Sequence, residues 1–430
     1  MALSANYRWI NTPSNCRTYG LASLLSPLNQ SKVLANYFTI IARNFVILGE
    51  NFTVIGENHP MTKPNLLLFC ALLTVPGCAH GKAVPHQAAA EPKGVPERRV
   101  LVVVNDNSAA SREIGAYYAK KRHIPAAYIC HIRCAEQEEI EEDAFDLAIL
   151  TPVADSLARA PVSNTVDYIV LTKGVPLRIH STAPSLSPTF SPNGDSVDGR
   201  LVTQDMAGMG SPSANPFFKS EVRFSHKKFS LYLTTRLDGY NVAEAEGLVD
   251  RALLAKPAPG LFLLDACPSR SGGQDPTHLN DDCVPATAIL KERHLSVMLD
   301  QSETFVGRIP NLMGYWSWGS NDPHYDAALY KGNTFRPGAI AETVVSTSAH
   351  TMLRQNWWQS LIADLVEDKV TGVKGYVDEP YTLAMAHPDV LFDRYTRGWN
   401  LAESFYAASQ VTHWKDVVLG DPLCAPYAKH

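Results

Sequence analysis

The stretch GYWSWGSND at 314–322 decides how this chain is read, together with the run AIAETVVSTSA at 339–349 that follows it. Each is a β-rich apolar run that ends in small, polar and aromatic residues. A buried strand of an open parallel sheet has that pattern, because helices cover both faces and the ligand crevice lies beyond the carboxyl ends of the strands. Working outward, GLFLLDA (260–266), HLSVMLD (294–300), VKGYVDEPY (373–381) and DVVLGDP (416–422) give further strands. Helical spacing between them predicts helices over 287–293, 350–370 and 398–410, the second stopping near Gly372.

Upstream the alternation continues. RRVLVVVNDN (98–107) is a continuous β-branched run, and the segment at 108–124 follows with Ile114, Tyr117 and Tyr118 at helical spacing behind a capping Ser108 or Ser111. AAYICHI (126–132) is a strand, 138–160 a helix with acids crowding its first turn, and TVDYIVLTKGVPLRI (165–179) a strand broken by Gly174 and Pro176. YLTTRLDGY (232–240) and an amphipathic helix at 241–256 complete the first half. This βαβαβ alternation predicts an α/β class protein built on a parallel sheet, with a smaller N-terminal lobe over 97–245 and a second lobe over 246–430. Residues 181–218, rich in Ser, Pro, Gly and Asn, form a long loop that is either a lid over a site or a solvated insertion.

The first 60 residues lack sustained period and read as a spurious upstream extension. From Met61 the chain has the layout of a bacterial secretory signal: MTKPN with one lysine, the apolar decamer LLLFCALLTV, and VPGC ending at Cys78. The ending resembles a lipobox, which makes 61–78 a lipoprotein-type signal with Cys78 as the lipidated residue. Residues 79–96 read as a flexible tether. The expected product is exported, periplasmic or on the outer membrane, and held to the membrane by lipid. The net charge of −5, from 38 Lys and Arg against 43 Asp and Glu, and the lack of any basic block exclude nucleic acid as a partner.

Five cysteines follow Cys78. Cys267 and Cys283 flank a turn-rich loop and are the expected disulfide, worth about 3 kcal/mol by loop closure. No zinc spacing and no cofactor motif is present, although Asp265, Asp300 and Glu379 offer oxygen ligands to a hard cation. Trp316 and Trp318 alternate around Ser317 and share a face if that piece is extended. With Tyr315, Asp322 and Trp357 they form either a stacking platform for sugar rings or part of the core.

As a set, NDNS (105–108), DYIVLTKGVPLRI, TRLDGY, GYWSWGSND, GAIAETVVSTSA, the NWW run (356–358), GYVDEPY and the terminal VVLGDPLCAPY resemble, in that order, an uncharacterised family of exported bacterial proteins. That family is found mainly in genomes carrying exosortase, and it has no established activity. The layout is more distantly similar to gingipain- and caspase-like cysteine peptidases, which implies a caspase-hemoglobinase-like sandwich. In those enzymes the loop after one strand bears the catalytic histidine and the loop after the next bears the cysteine. Here Trp316, Ser317 and Trp318 stand at the first position and the STSAH segment, 346–350, at the second, so the resemblance implies a protein without the usual dyad. A nucleophile needs an adjacent base. The substitute set would be Ser346 or Ser348 as nucleophile, His350 as base and Asp265 or Glu379 as orienting carboxylate. Two functions follow: binding of an envelope polysaccharide or sorted surface protein at the sheet edge, or hydrolysis by that set.

Overall fold

The computed structural model describes residues 96–182, 194–203, 211–356 and 358–429. They belong to one compact unit, Pro85–His430. The upstream extension, the signal segment with Cys78, residues 79–95 of the tether and Trp357 lie outside the described residues. No described helix is long and apolar enough to cross a membrane.

A ten-stranded sheet forms the centre. In chain order its strands are β1 (Val100–Asn105), β2 (Ile129–Ile132), β3 (Tyr168–Thr172), β4 (Leu233–Leu237), β5 (Leu261–Asp265), β6 (Ser296–Asp300), β7 (Leu312–Ser317), β8 (Phe335–Thr343), β9 (Gly372–Tyr376) and β10 (Asp416–Gly420). Across the sheet the order is β6-β5-β7-β8-β9-β10-β4-β3-β1-β2. β1, β3, β4, β7, β9 and β10 are buried at every position, as strands covered on both faces are.

The strands do not all share one direction. Every neighbouring pair is parallel except β9 with β10, where Gly372 faces Gly420 and Tyr376 faces Asp416. The sheet is therefore two parallel halves running in opposite senses, and the carboxyl edge of one lies with the amino edge of the other. The predicted single carboxyl edge is corrected accordingly. Apolar period reports burial and pitch, but strand direction is set by where the connecting helices pack. The boundary at 245/246 falls inside the helix Val242–Leu253, and one sheet passes through both predicted lobes.

Two other expectations change. The helix predicted over 350–370 is confined to Ile362–Glu367; residues 344–361 instead leave β8 as an irregular loop. Within 181–218, the described residues 194–203 are not an exposed flap: the helix Val197–Val202 has Asp198, Leu201 and Val202 buried, and the Arg236 guanidinium donates to the Asp198 carboxylate. The helix Ala109–Arg122 forms as predicted, with the Ser108 hydroxyl accepting from the Ser111 amide.

Candidate functional site

The second half has the strand order 2-1-3-4-5, counting from β5, which places its topological switch point between β5 and β7. The loops beyond the carboxyl ends of four of these strands converge on a cavity of about 380 Å³. After β5 come Arg270, Gly273 and Pro276; after β7, Trp318 and Asn321; after β8, Val344 and Ser346; after β9, Glu379, Tyr381, Thr382 and Met385. The wall between two loops is fixed by Asn321, whose Nδ2 donates to the Val344 carbonyl at 2.7 Å and whose Oδ1 accepts from Gln359 Nε2 at 3.2 Å. At the carboxyl edge of the first half, Lys173 pairs with Asp238 at 3.0 Å and reaches the Gly239 carbonyl at 2.8 Å. Lys173 there already has its partners.

The aromatic residues of 314–322 divide between core and cavity. Trp316 and Tyr315 are fully buried: Tyr315 lies among Tyr330 and Phe335, and Trp316 meets Trp318 edge to face at 6.4 Å. Neither can offer a ring face to a ligand, so the platform is corrected to core packing for these two. Trp318 lines the cavity but is only 3% exposed, and its Nε1 donates to Asn280 Oδ1 at 2.8 Å. Asp322 is buried and accepts from the His324 amide at 2.7 Å. The accessible aromatic ring of the cavity is Tyr381, 48% exposed at a backbone φ of 51°. Sequence patterning missed Tyr381 and Arg270, since both sit in loops with no period.

The four catalytic candidates do not assemble. Ser348 is fully buried and its hydroxyl has no partner, so no Ser348–His350 pair forms. His350 donates from Nδ1 to the Val377 carbonyl at 2.8 Å, and its own carbonyl accepts from Arg178 Nη1 at 2.5 Å. Glu379 is exposed and accepts from the Tyr381 amide at 2.8 Å. Asp265 instead accepts from the Val306 amide at 3.3 Å and the Ser317 hydroxyl at 3.4 Å, and the Ser317 hydroxyl accepts from the Gly319 amide at 3.0 Å.

Burial pushes the Asp265 carboxyl up to about 7, aided by the Asp300 and Asp322 charges and opposed by the Val306 amide. A carboxyl raised on folding adds stability while it is protonated in the folded state and is lost as pH rises through the folded value. Asp265→Asn is therefore expected to match the parent near pH 4 and to exceed it increasingly up to pH 7, with a constant gain above. Urea denaturation from pH 4 to 8 checks this; an unchanged pH slope would show that Asp265 does not titrate in that window.

Cys267 and Cys283 are both free, buried thiols, which corrects the predicted disulfide. Cys283 lies in the helix Leu279–Glu292 and its Sγ donates to the Leu279 carbonyl at 3.5 Å, while the Cys267 Sγ meets Ser269 Oγ at 3.2 Å. Flanking a loop in sequence does not aim two side chains at each other. Burial raises the Cys267 thiol, so it lacks the thiolate character of a nucleophile. Asp265 and Asp300 are register partners on β5 and β6, whereas Glu379 lies in the loop after β9. Metal-type donors meet elsewhere among the described residues, at Asp282, His387 and Asp389, within 4.8 Å of one another. There His387 is already bonded, to Asp282 at 2.5 Å and to Gln410 at 2.7 Å.

No protein-family model and no curated protein matches the chain. Among solved structures it is similar to one described as "Structure of Protease", at 13% identity and a TM-score of 0.45, covering 77% of this chain and 79% of that one. What the geometry defines is an α/β protein with a large, mostly parallel central sheet and a cavity at the carboxyl edge of its second half.

Proposed function

We propose that this is an exported, lipid-anchored envelope protein of caspase-hemoglobinase-like fold that binds a polymer of the cell envelope in the β5–β9 cavity without cutting it. The single observation that carries the reading is the convergence of four post-strand loops on one cavity whose neighbouring catalytic candidates are unassembled. Kinship with the caspase-like sheet is supported by β7 and β8 being parallel neighbours, which sets side by side the two loops that would carry histidine and cysteine in such an enzyme. The alternative, a hydrolase using Ser346, needs Ser346 within reach of His350 Nε2, the nitrogen that carries the lone pair when Nδ1 donates to the Val377 carbonyl.

Calorimetric titration of the purified protein with isolated envelope polysaccharide and with sorted surface protein tests the reading, with products followed by mass spectrometry. Saturable binding with both polymers left intact is expected. Cleavage that disappears in His350→Ala would make the protein a hydrolase instead.

A further inference from the structure

Arg270 sits in the first of the four loops and lines the cavity. Its guanidinium makes no hydrogen bond or ion pair with any described residue, and its Nε is shielded from water without a partner. Arg99, Arg236 and Arg394 are matched, with Asp167, Asp198 and Glu221; the Nε of half-buried Arg336 is shielded without a partner as well, but Arg336 does not line the cavity. A guanidinium presents five donors in a rigid planar fork suited to a carboxylate, and leaving a shielded donor unpaired is costly. Glu379 lines the same cavity but forms no ion pair with Arg270, its Oε1 accepting the Tyr381 amide.

The rest of the lining suits a sugar better than a peptide. β7, β8 and β9 are each paired on both sides, so no free strand edge borders the cavity to extend by a peptide strand. Ser346 and Glu379 supply a hydroxyl and a carboxylate for ring hydroxyls, and Tyr381 supplies an accessible ring face. We propose that Arg270 receives the carboxylate of a uronic-acid residue, so that the ligand of this cavity is an acidic polysaccharide; the proposal rests on the binding reading above and names its ligand class.

The test titrates the full protein with polygalacturonate fragments and with the same fragments after reduction of their carboxyl groups, in the parent, Arg270→Gln and Arg270→Lys. The parent is expected to prefer the acid form by roughly tenfold or more, as loss of a charge-assisted pair implies. Arg270→Gln should abolish that preference while its thermal unfolding midpoint stays at the parent value, and Arg270→Lys should restore part of it. Equal affinity for acid and reduced fragments would overturn the assignment, as would tighter binding of polyglutamate than of polygalacturonate. Binding of isolated envelope polysaccharide that survives Arg270→Gln would also overturn it and leave the binding reading standing. Failure of every polysaccharide to bind the parent would overturn the assignment, and failure of sorted surface protein as well would overturn both.

Discussion

Replacing Arg236 by methionine is expected to destabilise the protein by about 3–5 kcal/mol, the cost of leaving one member of a buried ion pair uncompensated. Arg236 on β4 is fully buried. Its Nη2 meets Asp198 Oδ2 at 2.6 Å and the Pro176 carbonyl at 2.8 Å, and its Nη1 donates to the Val175 carbonyl at 2.6 Å. Burial raises the Asp198 carboxyl even with this partner. Without it, Asp198 must take up a proton or draw in water, and two carbonyls lose their donor. The segment 194–203 would then be the first part to loosen, because Asp198 fastens it to the sheet. Urea denaturation gives the loss directly. The double variant Arg236→Met with Asp198→Leu should recover part of it, since an apolar pair of similar volume leaves no charge behind. A loss below about 1 kcal/mol for the single variant would show that the pair carries little of the fold.

Trp316→Ala is expected to cost a similar amount, about 3–5 kcal/mol, by removing a large side chain from a packed interior. Trp316 is fully buried on β7, between β5 and β8, with Trp318 against its edge. Neighbours held in a ten-stranded sheet cannot collapse into the space left behind. The two readings of this tryptophan differ in their readout. A core residue lowers the denaturation midpoint and leaves the affinity of the folded fraction nearly unchanged. A stacking residue would lower affinity and leave the midpoint in place, and that result would sink the core assignment.

Much of the architecture was legible because burial on both faces leaves a direct mark: β1, β3, β5 and β10 fall within the runs that periodicity picked out. The cavity was half legible. Trp318, Ser346 and Glu379 sit at strand ends, where an open sheet places its crevice, and all three line it. Arg270 and Tyr381 were not legible, since a loop residue's position depends on the path of its loop and not on a repeat. Trp316 was left open between platform and core for a related reason, because an aromatic before a strand end looks the same whether its neighbours cover it or not.

What the sequence determined by itself is the element alternation, the α/β class and the end of the strands at which to look, all properties of local period and burial. Only the tertiary structure decided the rest. It reversed one half-sheet at the β9–β10 pair and took Ser348 into the interior with its hydroxyl unpartnered. It also paired polar groups that lie far apart in the chain: Lys374 with Asp416 at 2.8 Å, and the Tyr376 hydroxyl, which donates to Glu342 at 2.6 Å. Such groups enter a low-dielectric core only when a partner from another strand meets them there, and which strands become neighbours is settled by the packing of the whole chain.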